Sequence, residues 1–336
     1  MAASMRDVAR LAGVSVGTVS NVLNMPGRVA PALAERVQAA IDDLGYVRND
    51  AARQLRAGSS RAIAFISLDA ANPFFSALAR GAEEQASASG FSVILANSDE
   101  KSEREASYLD LFEERRVRGV LISPFGDVAD RLRLMRKRGI PAVVVDRVSS
   151  DASFSSVSVD DVAGGQAAVG HLIAGGRRRI TYLGGPLAIR QVADRLDGAR
   201  RAVTAAGDAG VALDVVEAGA LSLAEGRRTG QEIMDRPRER WPDAVFAAND
   251  LLAIGFLQAA FRADPRAVPG RVAVTGYDDI DFAAAAAVPL TSVRQPAEQI
   301  GAAAVRILLA EADDPAAAPR HVVFQPELIV RESTSG

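Results

Sequence analysis

DVARLAGVSVGTVSNVLN, Asp7 to Asn24, fits two apolar stripes around one glycine into a short run. Val8, Ala9, Leu11 and Ala12 recur at helical spacing, Gly13 breaks the pattern, and Val19, Val22 and Leu23 share one side of a second helix. Ser4-x-x-Asp7 supplies a capping-box-like start, with Asp in place of the usual Glu or Gln, and Ser15 is placed to cap the second helix before Met25-Pro26-Gly27 stops it. That second helix uses poor material: Gly17 and several β-branched residues each cost a fraction of a kcal/mol to about 1 kcal/mol relative to alanine. The side that does not pack carries Gly17, Thr18, Ser20, Asn21 and Asn24. Helix, tight glycine turn, helix is the geometry of a helix-turn-helix. Its second helix enters a major groove, where small side chains admit the backbone and polar ones hydrogen-bond. Thr18, Ser20 and Asn24 then suit phosphates, and Val16, Gly17 and Asn21 face base edges. On these residues alone a plain three-helix cap with a polar outer face fits equally well.

Outward from this stretch, Pro31 suits a first helical position, Val37, Ile41 and Leu44 continue at helical spacing, and Gly45 ends the run. Residues 1–46 therefore read as three helices around one small apolar centre. In YVRNDAARQLRAGSS, Asn49 can cap a helix of about two turns that Gly58 ends, too short to be stable alone in water. Its large apolar side chains are Val47 and Leu55. Residues 47–60 read as a hinge helix or a linker, and a linker with Leu55 packed on the body is the competing reading.

From residue 61 strand-like runs (AIAFISLD, FSVILANS, GVLISP, AVVVD) alternate with helical stretches, and the rhythm restarts after Val159 with ITYLGG, VVEAG, AVFAAND and VAVTGYDD. Such alternation predicts parallel sheets covered by helices, here in two α/β lobes. The closing segment, TSVRQP, an Ala-rich helix and VVFQPELIVRE, is too short for a third domain and is expected to cross back over both. The first lobe is placed at about 61–159 and 291–320, the second at about 160–290 and 321–336.

Composition narrows the chemistry. The 336 residues contain no cysteine and two histidines, His171 and His321, which excludes disulfides, thiolate metal sites and a multi-histidine metal centre. No run reaches the roughly 18 apolar residues of a membrane span, and no signal-peptide core opens the chain, so a cytoplasmic location is expected. Net charge is −3, but residues 1–60 hold seven Arg against five Asp and Glu, or +2, leaving −5 for the remainder. A mildly basic start on an acidic body is compatible with a polyanionic partner and equally with chance. There is no GxxxxGK[ST], GxSxG or HExxH, and Asp278, Asp279 and Asp281 lack the remaining positions of a calcium loop, so neither an enzyme nor a metal or other cofactor is expected.

DVARLAGVSVGTVSNVLN and RVQAAIDDLGYVRNDAARQLRAG closely resemble the DNA-binding headpiece and hinge of the lac repressor family. NPFFSALARGAEE, GVLISP, VVVDR, ITYLGGP, DRLDGAR, VFAANDLLAIG, VTGYDDI, PLTSVRQP and LIVREST resemble the effector domain of that family, in the same order. The resemblance covers essentially the whole chain. It implies an all-α helix-turn-helix headpiece before a type I periplasmic-binding-protein-like effector domain of two doubly wound lobes, residues 61–336, and a homodimer on a pseudo-palindromic double-stranded operator. In such proteins paired hinge helices wedge a leucine into the central base step, by position Leu55. An apolar wedge of that kind trades unstacking for a bend. Ser15, Asn49 and Ala52 join the expected DNA contacts, and Arg28 is expected on phosphate. Many members carry Arg where this chain has Asn21, and a residue larger than Gly17. Asparagine favours adenine and arginine guanine, so the operator is expected to differ at the base that Asn21 reads.

The effector site is expected at the carboxyl ends of the strands, between the lobes. Candidates are Asp69, Asn72 and Phe74, Ser123, Asp146 and Arg147 on one side, and Gln191, Arg195, Asn249 and Asp278 on the other. By the resemblance Arg195, Asn249 and Asp278 are strongest. Carboxylates, amides and an arginine beside aromatic faces suit sugar hydroxyls. Asp146 as a helix cap and Asn72-Pro73 as a simple turn remain open, and Phe75 is read as core. The expected function is a ligand-responsive repressor of carbohydrate genes released by a sugar-like effector. A cytoplasmic solute-binding protein and a corepressor-dependent regulator of nucleobase-like ligands are the alternatives.

Overall fold

In the first of two compact units, residues 1–59, three helices enclose a core of Val8, Ala9, Ala12, Val19, Val22, Val37 and Ala40. The structure is a computed structural model and describes residues 3–46, 60–207 and 209–335. Helix α1 (Met5–Ala12) opens with the capping box: Asp7 N–H donates to Ser4 Oγ, and Ser4 N–H to the Asp7 carboxylate. It ends where Gly13 adopts φ 65°, the left-handed region that glycine enters without penalty. Helices α2 (Val16–Asn24) and α3 (Pro31–Leu44) follow, with a short 3₁₀ turn at Pro26–Arg28 between them. Leu11, expected in the core, is 54% exposed. The buried face of α1 centres between Ala9 and Ala12, and the helical repeat carries Leu11 about 100° away from it.

The second unit, residues 60–336, contains two six-stranded sheets. The first is ordered β2–β1–β3–β4–β5–β11 and is parallel throughout: β1 (Ala62–Ser67), β2 (Ser92–Asn97), β3 (Gly119–Ile122), β4 (Ala142–Val145), β5 (Ser156–Val159) and β11 (His321–Phe324). The second is ordered β7–β6–β8–β9–β10–β12: β6 (Arg179–Gly184), β7 (Ala212–Glu217), β8 (Ala244–Ala247), β9 (Ala273–Asp278), β10 (Thr291–Arg294) and β12 (Glu327–Ile329), with only β12 antiparallel. Their helices are α4 (Pro73–Ala88), α5 (Ser102–Glu114), α6 (Ala129–Lys137), α7 (Asp161–Ala174), α8 (Arg190–Ala205), α9 (Leu223–Met234), α10 (Asp250–Ala263), α11 (Asp281–Ala285) and α12 (Ala297–Asp313). Order 2-1-3-4-5 is the doubly wound pattern, whose strand order reverses at β1 and opens a crevice at the carboxyl ends.

The expected lobe boundaries need correcting. Residues 291–294 belong to the second sheet, paired with β9, and 321–324 belong to the first, paired with β5. VVFQPELIVRE is therefore two strands in two sheets rather than one lobe, and the chain passes between lobes before α7, before α12 and between β11 and β12. Pro326 lies in that last crossing and, lacking an N–H, suits a break between strands. Strand β5 escaped the sequence reading because Ser-Val-Ser-Val looks half-polar, yet all four residues are buried.

Three helix pairs cover the sheets, and glycines let each pair approach closely. A Cβ on Gly81 of α4 would stand 2.1 Å from Glu298 O, and one on Gly301 of α12 2.1 Å from Leu78 O. Gly165 and Gly198 do the same for α7 and α8, Gly226 and Gly255 for α9 and α10. No helix among the described residues is long and apolar enough to cross a membrane.

Gly301→Ala is expected to destabilise the body by about 1–3 kcal/mol, the usual cost of overpacking. Gly170→Ala, with no atom within 4 Å of the new methyl, should gain about 0.5–1 kcal/mol. Urea unfolding of both variants checks this, and equal shifts would contradict it.

Candidate functional site

On the headpiece, Ser15 caps α2. Its Oγ accepts from Thr18 N–H at 3.0 Å and lies 2.9 Å from Thr18 Oγ1, so these two hydroxyls hold the start of the helix as well as facing outward. Val16, Gly17 and Asn21 are exposed, Thr18 and Ser20 half-buried, and Arg28 is exposed in the turn after the helix. Asn24 is the last residue of α2. Arg36 of α3 donates to Ala12 O at 2.9 Å and so ties the glycine turn to the third helix, a contact that sequence reasoning missed. The expected hinge contacts Asn49, Ala52 and Leu55 lie outside the described residues.

In the body, strand ends carry the expected side chains to the crevice. Asp146 follows β4 with φ 69°, and Asp278 ends β9 with φ 100°. Backbone in such sparsely populated regions persists where the surroundings dictate it. Asp146 is buried; its Oδ2 accepts from Ser123 Oγ at 3.2 Å and, across the lobes, from Gln191 Nε2 at 2.5 Å. Asp278 Oδ2 accepts from Asn72 Nδ2 at 2.8 Å, a second link between lobes, and its Oδ1 from Gln295 Nε2 at 2.8 Å. Asn72 also caps α4 through Phe74 N–H, at 3.0 Å.

Arg195 sits at the centre. Its Nε donates to Asp161 Oδ1 at 2.7 Å and its Nη1 to Ala248 O at 2.7 Å, with Asp278 Oδ1 3.9 Å away. The guanidinium lies 3.7 Å from the centroid of the Tyr277 ring, within cation–π reach. Burial works against the charge on Arg195, but Asp161 and the other acidic neighbours outweigh it and keep the group protonated. The carboxyls respond the other way. Burial, reinforced by Asp161, pushes Asp146 up to about 8; burial lifts Asp161 to about 6 against the pull of Arg195, and it raises Asp278 as well.

Seven of the expected residues surround this cluster in different ways. Asn72, Ser123, Asp146, Gln191, Arg195 and Asp278 bond within it, while Phe74 is buried edge-on to Phe75 at 5.1 Å and lines an adjoining cleft of about 610 Å³ with Asp278 and Gln295. Arg147 lies outside, donating to Gly126 O at 3.0 Å on the wall of a second cleft of about 750 Å³ between lobes. Asn249 caps α10, accepting from Leu252 N–H at 2.9 Å and donating to Leu221 O at 3.1 Å. Asp69, half-exposed, accepts from Ala71 N–H within its own loop. Phe75 is core. Sequence reasoning missed Asp161, Tyr277 and Gln295. Gln295 lay in plain view in SVRQP, and a buried arginine demands an acidic partner, but nothing in the sequence pairs Asp161 with Arg195. Among the described residues no three His, Asp or Glu side chains gather to hold a metal ion.

Residues 4–49 match the model for bacterial regulatory proteins of the lacI family, and residues 169–334 the periplasmic binding protein-like domain. The ribose operon repressor of Escherichia coli (strain K12) is 32% identical over 336 residues, spanning 98% of this chain and 99% of its own. The chain belongs to the lacI family. Among solved structures, the lac repressor dimer bound to operator and the anti-inducer ONPF superposes with a TM-score of 0.85 at 26% identity, covering 100% of both chains. The transcriptional regulator CelR in complex with cellobiose is 33% identical, with a TM-score of 0.72 over 98% of this chain and 99% of that one. This lacI-family chain therefore combines a helix-turn-helix headpiece with a two-sheet α/β domain.

The raised pKa of Asp146 predicts how its stability varies with pH. A carboxyl with a folded-state pKa above its ordinary 3.8 keeps a proton that the unfolded chain gives up, so its contribution is full below 3.8 and lost as pH rises toward about 8. Relative to Asp146→Asn, the wild-type body should lose stability across that window, by at most about 1.4 kcal/mol per pH unit. Parallel urea-unfolding profiles for the two proteins between these limits would contradict the assignment.

Proposed function

We propose that this protein is a ligand-responsive transcriptional repressor, dimeric on a pseudo-palindromic operator and released by a small sugar-like effector bound between its lobes. The observation that carries the reading is the buried cluster at the strand ends, where Asp146 and Gln191, and Asn72 and Asp278, link the two lobes around Arg195. Carboxylates, amides and an aromatic face are groups that recognise hydroxyls, and the solved relative carries cellobiose. We read the cluster as one for binding rather than catalysis: Arg195 Nε and Nη1 bond Asp161 and Ala248 O, and the amides of Asn72, Gln191 and Gln295 each bond a carboxyl group. A regulator of this kind acts where the chromosome lies, in the cytoplasm.

An effector that contacts both lobes alters how they close on one another, and coupling to the operator requires that it bind the two closures unequally. Thr18, Ser20, Asn24 and Arg28 serve the phosphates in this reading. Val16, Gly17 and Asn21 face base edges, and Leu55, with Asn49 and Ala52, serves the central step.

Selection from random duplexes with the purified protein tests this. The wild type should enrich a two-fold related site whose binding weakens steeply with salt, as phosphate contacts require. Asn21→Arg should shift one position per half-site from adenine toward guanine, by about 1–3 kcal/mol of discrimination. Identical preferences would overturn the role of Asn21. Tight sugar binding with no selected DNA would favour a solute-binding protein instead.

A further inference from the structure

The C-terminal residues Arg331 to Thr334 form neither strand nor helix, yet side chains sew them to the second lobe. Ser333 is buried; its Oγ donates to Val274 O at 2.6 Å and accepts from Thr291 N–H at 2.8 Å, while Val274 N–H donates to Ser333 O at 2.9 Å. Thr334 Oγ1 lies 2.8 Å from both Thr291 Oγ1 and His171 Nε2. The segment is thus tied to β9, β10 and α7, and this fixes where Arg331 stands. Its backbone N–H donates to Thr291 Oγ1 at 2.8 Å and its Nη1 to Leu290 O at 2.7 Å. The same Nη1 is 2.6 Å from Asp279 Oδ1.

Asp279 is held from every side. Arg294 closes on its other oxygen, with Nε and Nη2 each 2.8 Å from Oδ2. Its N–H donates to Ser292 Oγ at 3.1 Å, and Ser292 Oγ and Ile280 N–H both donate to the buried Asp250, at 2.6 and 2.8 Å. Such a clamp is needed, because Asp278 and Asp279 have φ of 100° and 54°, a backbone that residues with side chains rarely adopt unless their surroundings dictate it. That bent backbone aims the Asp278 carboxyl at Gln295 and, across the lobes, at Asn72, each at 2.8 Å. The Asn72 amide is engaged at both ends, since its Oδ1 accepts from Phe74 N–H in the first turn of α4. A line of contacts therefore runs from Arg331 through Asp279 and Asp278 to the start of α4 in the other lobe. Arg331 itself is not among the residues lining either cleft.

We propose that Arg331 is a positioning residue of the effector site: through Asp279 it holds Asp278 on Asn72, so the C-terminal segment sets how firmly the first lobe is tied to the second. This rests on the reading of the cluster as the effector site and adds a residue outside both clefts. Without the Arg331 cation, Asp279 keeps one charged partner in place of two, and the strained backbone is free to relax and to carry Asp278 away from Asn72.

Hydrogen exchange of the full chain, read by mass spectrometry with neither effector nor DNA present, tests this. In Arg331→Met, amides of residues 278–281 and of residues 72–76 should exchange faster than in the wild type by at least about tenfold, the weight of one charge-assisted hydrogen bond. Amides of β1, in the same lobe as Asn72, should keep their protection. Arg331→Lys, which keeps a cation beside Asp279, should restore protection at both segments. Asp279→Asn removes the clamped charge and leaves the bond from Arg331 to Leu290 O, so it should behave as Arg331→Met and keeps the test independent of how that variant folds. Unchanged exchange at residues 72–76 in both variants would overturn the proposal. So would a rise shared equally by β1, or a lysine that restores nothing, since either marks Arg331 as a general structural support. Failure here leaves the repressor reading standing; failure of that reading shows instead as a wild type that selects no DNA.

Discussion

The buried ion pair between Arg195 and Asp161 sets the terms for the rest of the body. Taking a guanidinium out of water costs several kcal/mol unless close partners replace the solvent, and here the partners are Asp161, Ala248 O and the Tyr277 ring. Asp161 reaches it across the α7–α8 contact, where the two helices lie nearly backbone to backbone. A Cβ on Gly165 would meet Arg195 O at 2.1 Å, and one on Gly198 would meet Val162 O at 2.0 Å. Packing and site chemistry are thus linked: the two glycines that let α7 and α8 meet bring Asp161 to the arginine.

Around that arginine the lobes are joined twice over. Three passages of the chain connect them covalently, and the Asp146–Gln191 and Asn72–Asp278 hydrogen bonds connect them through the site itself. The same polar atoms that would meet a ligand therefore also hold the lobes together. A bound molecule that competes for Asp146 or Asp278 must alter closure, and this gives effector binding a direct mechanical consequence.

Much of the fold was legible because it rests on local rules. The capping box at Ser4, the turn at Gly13 and the alternation of strands and helices are short-range patterns, and each appears where the residues imply it. Strand β5 and the split of VVFQPELIVRE were not, since buried serines mimic a polar loop and sheet membership is a long-range choice. The site divides in the same way. Residues ending strands or capping helices, such as Asp146, Asn72 and Asp278, could be named from their place in a doubly wound fold. Asp161 could not, because its role depends on a helix–helix approach. Nor could the hydrogen bond from Asn249 to Leu221 O, which joins residues far apart in the sequence.

The central claim is that the cluster at Arg195 receives the effector and that its occupancy governs the headpiece. Replacing Arg195→Met with Asp161→Asn removes the closest buried ion pair as a unit, while Asp146 and Asp278 keep their amide donors. Fluorescence anisotropy of a labelled selected operator, titrated with a sugar that releases the wild type, is the direct measurement. The account predicts that the double variant still binds the operator and is no longer released. Release of the variant at the same sugar concentration as the wild type would contradict it.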